Sequence, residues 1–329
     1  MDRLECLGRT GELEALEGVC GSRRAEMVIV YGWRRVEKTA LIQKPCEGRE
    51  TFWYTAKAWK AEYQLELFSE ALCARLGNAG VRYASWTAAF DACAAAPGEG
   101  RRILVIDEFQ HIAPERPGFF SQLRAVWDVV LSQKNILLIL LSSAVSYIEK
   151  SVLNERNPLY GRARTVLKVM PLSFQAASAF LPEYAVDDFF KGYAVLGGIP
   201  HYWQCLDARQ FMEENLALNL LRANSFLHDE PQSLLRQEFR NPSTYNAILR
   251  SIAMGASTRS TIAEQSHVDN RTLTKYLIVL GEMDLIEQEF PVFSEPEEAG
   301  NVSQGLYRIK DPLHKFWFRF LADEPDLIR

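Results

Sequence analysis

MVIVYGWRRVEKTALI, residues Met27 to Ile42, decides how the rest of the chain reads. A β-branched apolar run (Met27, Val28, Ile29, Val30) meets Gly32, then Lys38-Thr39, then an apolar segment suited to start a helix. Strand, loop and helix in that order are the context of the phosphate-binding pattern G-x-x-x-x-G-K-[ST]. Backbone N–H groups of such a loop converge at a helix N-terminus and hold an anion there. One position departs: Glu37 stands where the pattern has its second glycine.

Around that loop the residues fall into roles. Lys38 reaches the β- and γ-phosphates of a nucleotide, and the Thr39 hydroxyl binds Mg²⁺. Arg101 to Gln110 reads RRILVIDEFQ, an apolar run entering Asp107-Glu108. Asp107 supplies the second acid for Mg²⁺, and Glu108 stands where a base polarises an attacking water. The alternative is an exposed helix start at Lys38-Thr39 and a solvated strand end at Asp107-Glu108. Glu37 works against the site in two ways. Its side chain crowds the phosphates, and a carboxylate about 5 Å from a phosphate charge costs about 3 kcal/mol at an effective dielectric near 20. Mg²⁺ and the pair Arg34-Arg35 offset part of this, and a carboxylate turned to solvent or paired with either arginine costs less. The expectation is nucleotide binding retained but weakened, with hydrolysis reduced.

Composition sets the outer bounds. The 329 residues, 48% hydrophobic and 24% charged, give an ordinary globular mix of about two to three domains. A net charge of −5 excludes a generic polyanion binder, so any nucleic-acid surface is local. The six cysteines are scattered without a C-x-x-C pair, which argues against a zinc site or a disulfide framework and fits a reduced, cytoplasmic compartment. MDRLECLGRT has no apolar core of a signal peptide. No apolar run approaches the roughly 18 residues of a membrane helix.

Apolar runs alternating with helical patterns predict an α/β fold, a P-loop NTPase parallel sheet covered by helices. The expected strands are 27–30, 51–56, 101–106, 136–141 and 165–170. Expected helices include 10–18 with Leu13 and Leu16 inward, 62–76, 86–95 and 119–131. After Pro171 the pattern is helix upon helix, with 175–181, 186–196 and 211–227 as candidates. Helices at 244–254, 258–265 and 270–283, then β-prone segments at 285–293 and 305–309, predict a winged helix-turn-helix. The loop between those segments, SEPEEAGNVS, is acidic. The expected domains are 1–170 (ATPase), 171–240 (helical lid), 241–310 (winged helix-turn-helix) and 311–329.

At this point the sequence resembles a known family. Gly8-Arg9 with Glu12-Leu13, YGWRRVEKTALI, LVIDEFQ, LILLSSAVS, NPLYGRART, YAVLGGIPHYW and YRIKDPLHKFWFRF are similar, in that order, to boxes of the archaeal-type AAA ATPases of prokaryotes, within the STAND-like P-loop ATPases. The resemblance covers essentially the whole chain. It implies ATP and Mg²⁺ as ligands, phosphate binding by Gly32, Arg34, Arg35, Val36, Glu37, Lys38, Thr39 and Ala40, and Mg²⁺ held by Thr39 and Asp107. It implies Glu108 as water activator, a polar sensor at Ser143 and a phosphate-sensing arginine at Arg162. Ser143 reads equally as a strand-end cap, and Arg162 as a surface ion pair. Three departures stand out: Glu37 for glycine, Trp33 for arginine and Ser142 for glycine. Members of the family continue past the FWFRF box into a nuclease-like domain, so 311–329 is expected to be the start of a domain that is absent or truncated.

In the winged helix-turn-helix, Ile262-Ala263-Glu264 begins the first helix and His267 sits where the turn often uses glycine. Val268 and Leu273 face the core. Arg271, Thr272, Thr274 and Lys275 lie on the early turns of the second helix, where they reach phosphates or base edges. The local charge is thin, and such modules also dock proteins or pack on their own ATPase. The partner classes are therefore ATP, a DNA or protein partner through the winged helix, no membrane, and self-association into a homo-oligomer. The histidines share no ligand spacing. The aromatic cluster Phe316, Trp317, Phe318 and Phe320 is expected to form core against the wing.

Overall fold

Five of the apolar runs become strands of one parallel sheet in a computed structural model that describes residues 6–78, 80–96, 100–112, 118–222, 224–239, 241–290 and 305–323. The first half of the chain runs α1 (Thr10–Gly21), β1 (Glu26–Gly32), α2 (Lys38–Cys46), β2 (Thr51–Thr55), α3 (Ala61–Leu76), α4 (Trp86–Ala95), β3 (Arg102–Asp107), α5 (Phe119–Val129), β4 (Ile136–Ser142), α6 (Val145–Tyr147) and β5 (Thr165–Val169). The strand order is β2-β3-β4-β1-β5, every pair parallel. β4 is buried at every position, as a strand covered on both faces must be. β1 runs beside it, with Val28 opposite Ile139 and Val30 opposite Leu141. On one face Phe68 and Trp86 pack with ring centroids 4.9 Å apart, and Trp86 meets Phe119 edge-on at 5.4 Å. Of the two residues expected to face inward on α1, Leu16 is fully buried and Leu13 half-buried.

Local chemistry sets the element ends. Ser85 caps α4 by accepting from the Ala88 amide at 3.1 Å. α3 stops at Gly77 in the left-handed conformation, φ +70°. α2 carries Pro45 in its last turn, one residue before it ends. Gly32 closes β1 where β5 passes so near that a Cβ would run into the Val169 carbonyl. The loop that follows β1 therefore starts from a position only glycine fits.

Residues Pro171–Arg329 form a second compact unit. It holds α7 (Phe174–Ala177), α8 (Val186–Leu196), α9 (Pro200–Gln204), α10 (Met212–Leu216), α11 (Phe226–Glu238), α12 (Ser243–Ala253), α13 (Arg259–Ser266), α14 (Asn270–Glu282), β6 (Ile286–Glu289), β7 (Leu306–Ile309) and α15 (Pro312–Phe320). Phe189 stacks on Trp203 at 4.4 Å, and the Trp203 indole donates to the Gly197 carbonyl at 2.8 Å.

One expected helix is two. Residues 211–227 break after α10, which runs into a π-helical turn (Ala217–Leu221) and ends before Asn224 in the left-handed region, φ +65°. Ser225 Oγ takes the Asn219 carbonyl at 2.5 Å and His228 Nδ1 the Leu220 carbonyl at 2.7 Å. Those side chains satisfy the carbonyls that a continuing helix would have used. The aromatic cluster also sits differently from expectation. α15 packs mainly on α8, α11 and α12 rather than on the β6–β7 pair, burying Trp317 and Phe318 and leaving Phe320 exposed.

α12, α13 and α14 are followed by the antiparallel pair β6–β7, with Ile286 opposite Ile309. Thr258 caps α13, Asp269 caps α14, and His267 between them takes the left-handed conformation, φ +56°. Leu273 is fully buried and Val268 half-buried. The acidic loop 294–303 lies outside the described residues. No helix among the described residues is long and apolar enough to cross a membrane.

The Gly32 contact gives a direct test. Gly32→Ala is expected to destabilise the sheet unit by about 1–3 kcal/mol, the usual cost of overpacking, read as a lower thermal midpoint; an unchanged midpoint would contradict the close approach.

Candidate functional site

Three carboxyl-terminal strand ends meet at one edge of the sheet. β1 ends at Gly32, β3 at Asp107 and β4 at Ser142, the edge where open α/β sheets place their ligands. From Gly32 the chain loops to Lys38, the first residue of α2. Lys38 is nearly buried, and its Nζ donates to the carbonyls of Gly32 at 3.0 Å and Trp33 at 2.7 Å. An ammonium has three protons, so one remains for an anion at the helix N-terminus. Burial is the main reason its pKa is pushed down to about 8, and the Arg34 charge adds to this while Glu108 and Asp107 oppose it.

The loop is strained where the pattern lacks glycine. Glu37 adopts the left-handed conformation, φ +64° and ψ +32°, and Arg35 has φ +63°. A non-glycine residue there costs about 1–2 kcal/mol. The missing glycine thus has a backbone reason as well as a steric one. Val36 is fully buried, Ala40 and Glu37 are half-buried, and Arg34 and Thr39 are exposed. The Arg9 side chain, buried at the start of α1, donates to the Val36 carbonyl at 3.4 Å and to Glu12 at 3.1 Å. It ties α1 to the loop from behind.

The acidic side is built from β3 and β4. Thr39 Oγ1 donates to Asp107 Oδ2 at 3.4 Å, and the Glu108 amide donates to Asp107 Oδ1 at 2.9 Å. Burial first, then the Glu108 charge, push the Asp107 carboxyl up. Glu108 also takes a left-handed backbone, φ +53°. Its Oε2 accepts from Ser143 Oγ at 2.7 Å and from the Gln110 amide, and that amide lies 3.2 Å from Ser143 Oγ. Burial alone would raise the Glu108 carboxyl. The Ser143 and Gln110 hydrogen bonds and the charges of Lys38 and Arg34 outweigh it and hold the group below the usual range. Arg35, Glu37 and Glu108 are three of the seven non-glycine residues with positive φ among the described residues, so strain concentrates at this edge.

Arg162 is engaged elsewhere. Its guanidinium forks onto Asp128 at 2.8 and 2.7 Å and donates to the carbonyls of Pro158 and Tyr160 rather than to residues 32–39. Arg271, Thr272 and Lys275 lie exposed on α14, in the other compact unit. Two residues here had no role assigned from sequence, Arg9 and Gln110. Each sits in a quoted box, but the contacts that give it a role span 27 and 33 residues.

The donor set suits a metal nucleotide. Thr39 and Asp107 offer hard oxygen ligands side by side, as Mg²⁺ prefers, and the Lys38 ammonium and the start of α2 face the same edge.

A parallel five-stranded sheet with a loop from Gly32 to Lys38-Thr39 between β1 and α2 defines a P-loop NTPase. Residues 7–205 match the model of an ATPase domain predominantly from Archaea, and the chain belongs to that family. An uncharacterised protein of Methanocaldococcus jannaschii is 31% identical over 315 residues, 95% of this chain and 68% of the relative. The fold is similar to that of a Walker-type ATPase of Pyrococcus abyssi (TM-score 0.70, 20% identity, 97% of each chain). It is also similar to the ORC2 protein of Aeropyrum pernix (TM-score 0.58, 16% identity, 96% of this chain and 93% of that one). Membership makes this an ATP-binding P-loop ATPase domain, with Mg²⁺ as the usual companion of the nucleotide.

Lys38 gives a pH test. With its pKa at about 8, Lys38 in the empty site has lost most of its proton by about pH 8.5, and a bound phosphate raises the pKa again. Calorimetric titration of Mg-ATP at about pH 8.5, in buffers of differing ionisation enthalpy, is expected to show net uptake of up to about three-quarters of a proton. Lys38→Arg removes it. Equal heats in all buffers would mean that Lys38 does not face the phosphates.

Proposed function

We propose that the chain is an ATP-dependent conformational switch of the STAND-like AAA type with weakened hydrolysis. The observation that carries this reading is the buried Lys38 ammonium, held on two loop carbonyls beside the Thr39–Asp107 pair. Gly32, Arg34, Arg35, Val36, Glu37, Lys38, Thr39 and Ala40 wrap the phosphates. Thr39 and Asp107 hold Mg²⁺, which when bound offsets charge on the phosphate oxygens. Glu108 orients the attacking water and takes its proton, and Ser143 senses the nucleotide by exchanging its bond to Glu108.

Hydrolysis is weak in this reading for two reasons. The Glu37 carboxylate lies on the loop that carries the phosphates, and Glu108 is committed to Ser143 and Gln110. Arg162 acts on the phosphates only after leaving Asp128. Domains follow the sequence boundaries: ATPase 1–170, lid 171–240, winged helix-turn-helix 241–310, and 311–329 leading out of it. ATP closes the ATPase domain on the lid, and hydrolysis releases it in a reduced, cytoplasmic setting.

A second reading is a non-hydrolysing scaffold that docks DNA or a protein through the winged helix. The exposed Arg271, Thr272 and Lys275 on α14 favour it. Turnover separates the two. Wild type is expected to hydrolyse ATP slowly but above background, Lys38→Ala only at background, and Glu37→Gly roughly tenfold faster than wild type if about 1.4 kcal/mol of repulsion and strain is relieved. Equal rates for wild type and Lys38→Ala would overturn the switch in favour of the scaffold.

A further inference from the structure

Val186, Phe190 and Phe211 are 71%, 62% and 73% exposed, among the highest values for large apolar side chains in the described residues. They share one neighbourhood. Val186 and Phe190 lie one turn apart on α8. Lys191 bridges Asp188 at 2.8 Å and Glu213 at 2.5 Å, tying α8 to α10. The Tyr184 hydroxyl donates to the carbonyl of Gln210, the residue before Phe211, and accepts from Asn215 at 2.9 Å. The apolar surface therefore sits on a braced frame.

Its rim is acidic. Between Glu183 and Glu214 six carboxylates stand against two cations. Lys191 is held in its bridge, and Arg209 forks onto Asp207 at 2.9 and 2.7 Å. Glu183 and Asp187, beside Val186, have no cation within this frame. Exposed apolar side chains gathered on one braced frame mark a docking site, and the charge around them calls for a basic partner with an aliphatic anchor.

The same chain carries that complement. The exposed face of α14 presents Arg271, Lys275 and, three residues on, Ile278, 53% exposed. An exposed isoleucine one turn beyond the two cations suits protein better than phosphate. We propose that the Val186–Phe190–Phe211 surface of one copy docks the α14 face of a second copy, with Ile278 against the phenylalanines and Arg271 and Lys275 against the acidic rim. The proposal rests on reading α14 as a docking face and assigns its occupant. It is independent of ATP turnover, so failure of one leaves the other standing.

Sedimentation of the full chain at low salt tests it. Wild type is expected to associate with rising concentration, and less so in about 500 mM salt, where rim charges are screened. Phe190→Ser/Phe211→Ser removes the patch, and Lys275→Glu/Ile278→Ser removes the face. Each double variant alone is expected to associate about thirtyfold more weakly, the loss of a docking anchor. Mixed one to one, they form a heterodimer, because each supplies the surface the other lacks. All four changes are at exposed positions, and the thermal midpoint of each variant checks that it folds. A monomeric wild type, unchanged association in either variant, or a mixture that stays monomeric would overturn the proposal. An α14 variant that still self-associates would show patch-to-patch contact and overturn it equally.

Discussion

A buried ammonium with two carbonyl partners organises this sheet edge. Lys38 sits at the first turn of α2 and anchors back to the Gly32 and Trp33 carbonyls, so the loop between them closes as a ring. Burying that charge is costly, and its lowered pKa records the cost. The neighbouring Asp107 and Glu108 oppose the shift, and an arriving phosphate would do so more strongly. The loop is thus poised for an anion before one arrives.

The backbone around that lysine carries the opposite tendency. Arg35 and Glu37 occupy left-handed conformations that glycine adopts at little cost. Arg9 reaches the Val36 carbonyl between them and holds the loop from α1. Across the edge, Ser143 and Gln110 grip the Glu108 carboxylate, itself on a left-handed backbone. The site combines a charge arrangement suited to an anion with side chains that hold the Glu108 carboxylate in place. The proposed reading, nucleotide held but split slowly, is built on that combination.

Much of the fold was legible because buried parallel strands write themselves as unbroken apolar runs. Ile136–Ser142 and the run before Asp107 are found within a residue or two of where the spacing puts them. The break near Asn224 was not legible, since leucine spacing runs through it while Ser225 and His228 end the helix by taking carbonyls several residues away. Within the site, Glu37 was visible as a departure but its left-handed backbone was not, because φ belongs to the folded loop. Arg9 and Gln110 were visible only as letters in boxes. The pairing of Arg162 with Asp128 spans 34 residues and depends on where α5 lies, which no local pattern encodes.

The central claim is that this strained loop still holds a nucleotide through Lys38. Calorimetric titration of Mg-ATP into wild type and Lys38→Ala tests it most directly. The account predicts a saturable one-to-one isotherm for wild type that Lys38→Ala loses while keeping its thermal midpoint. A wild type that shows no binding, or a Lys38→Ala protein that binds as tightly, would contradict it.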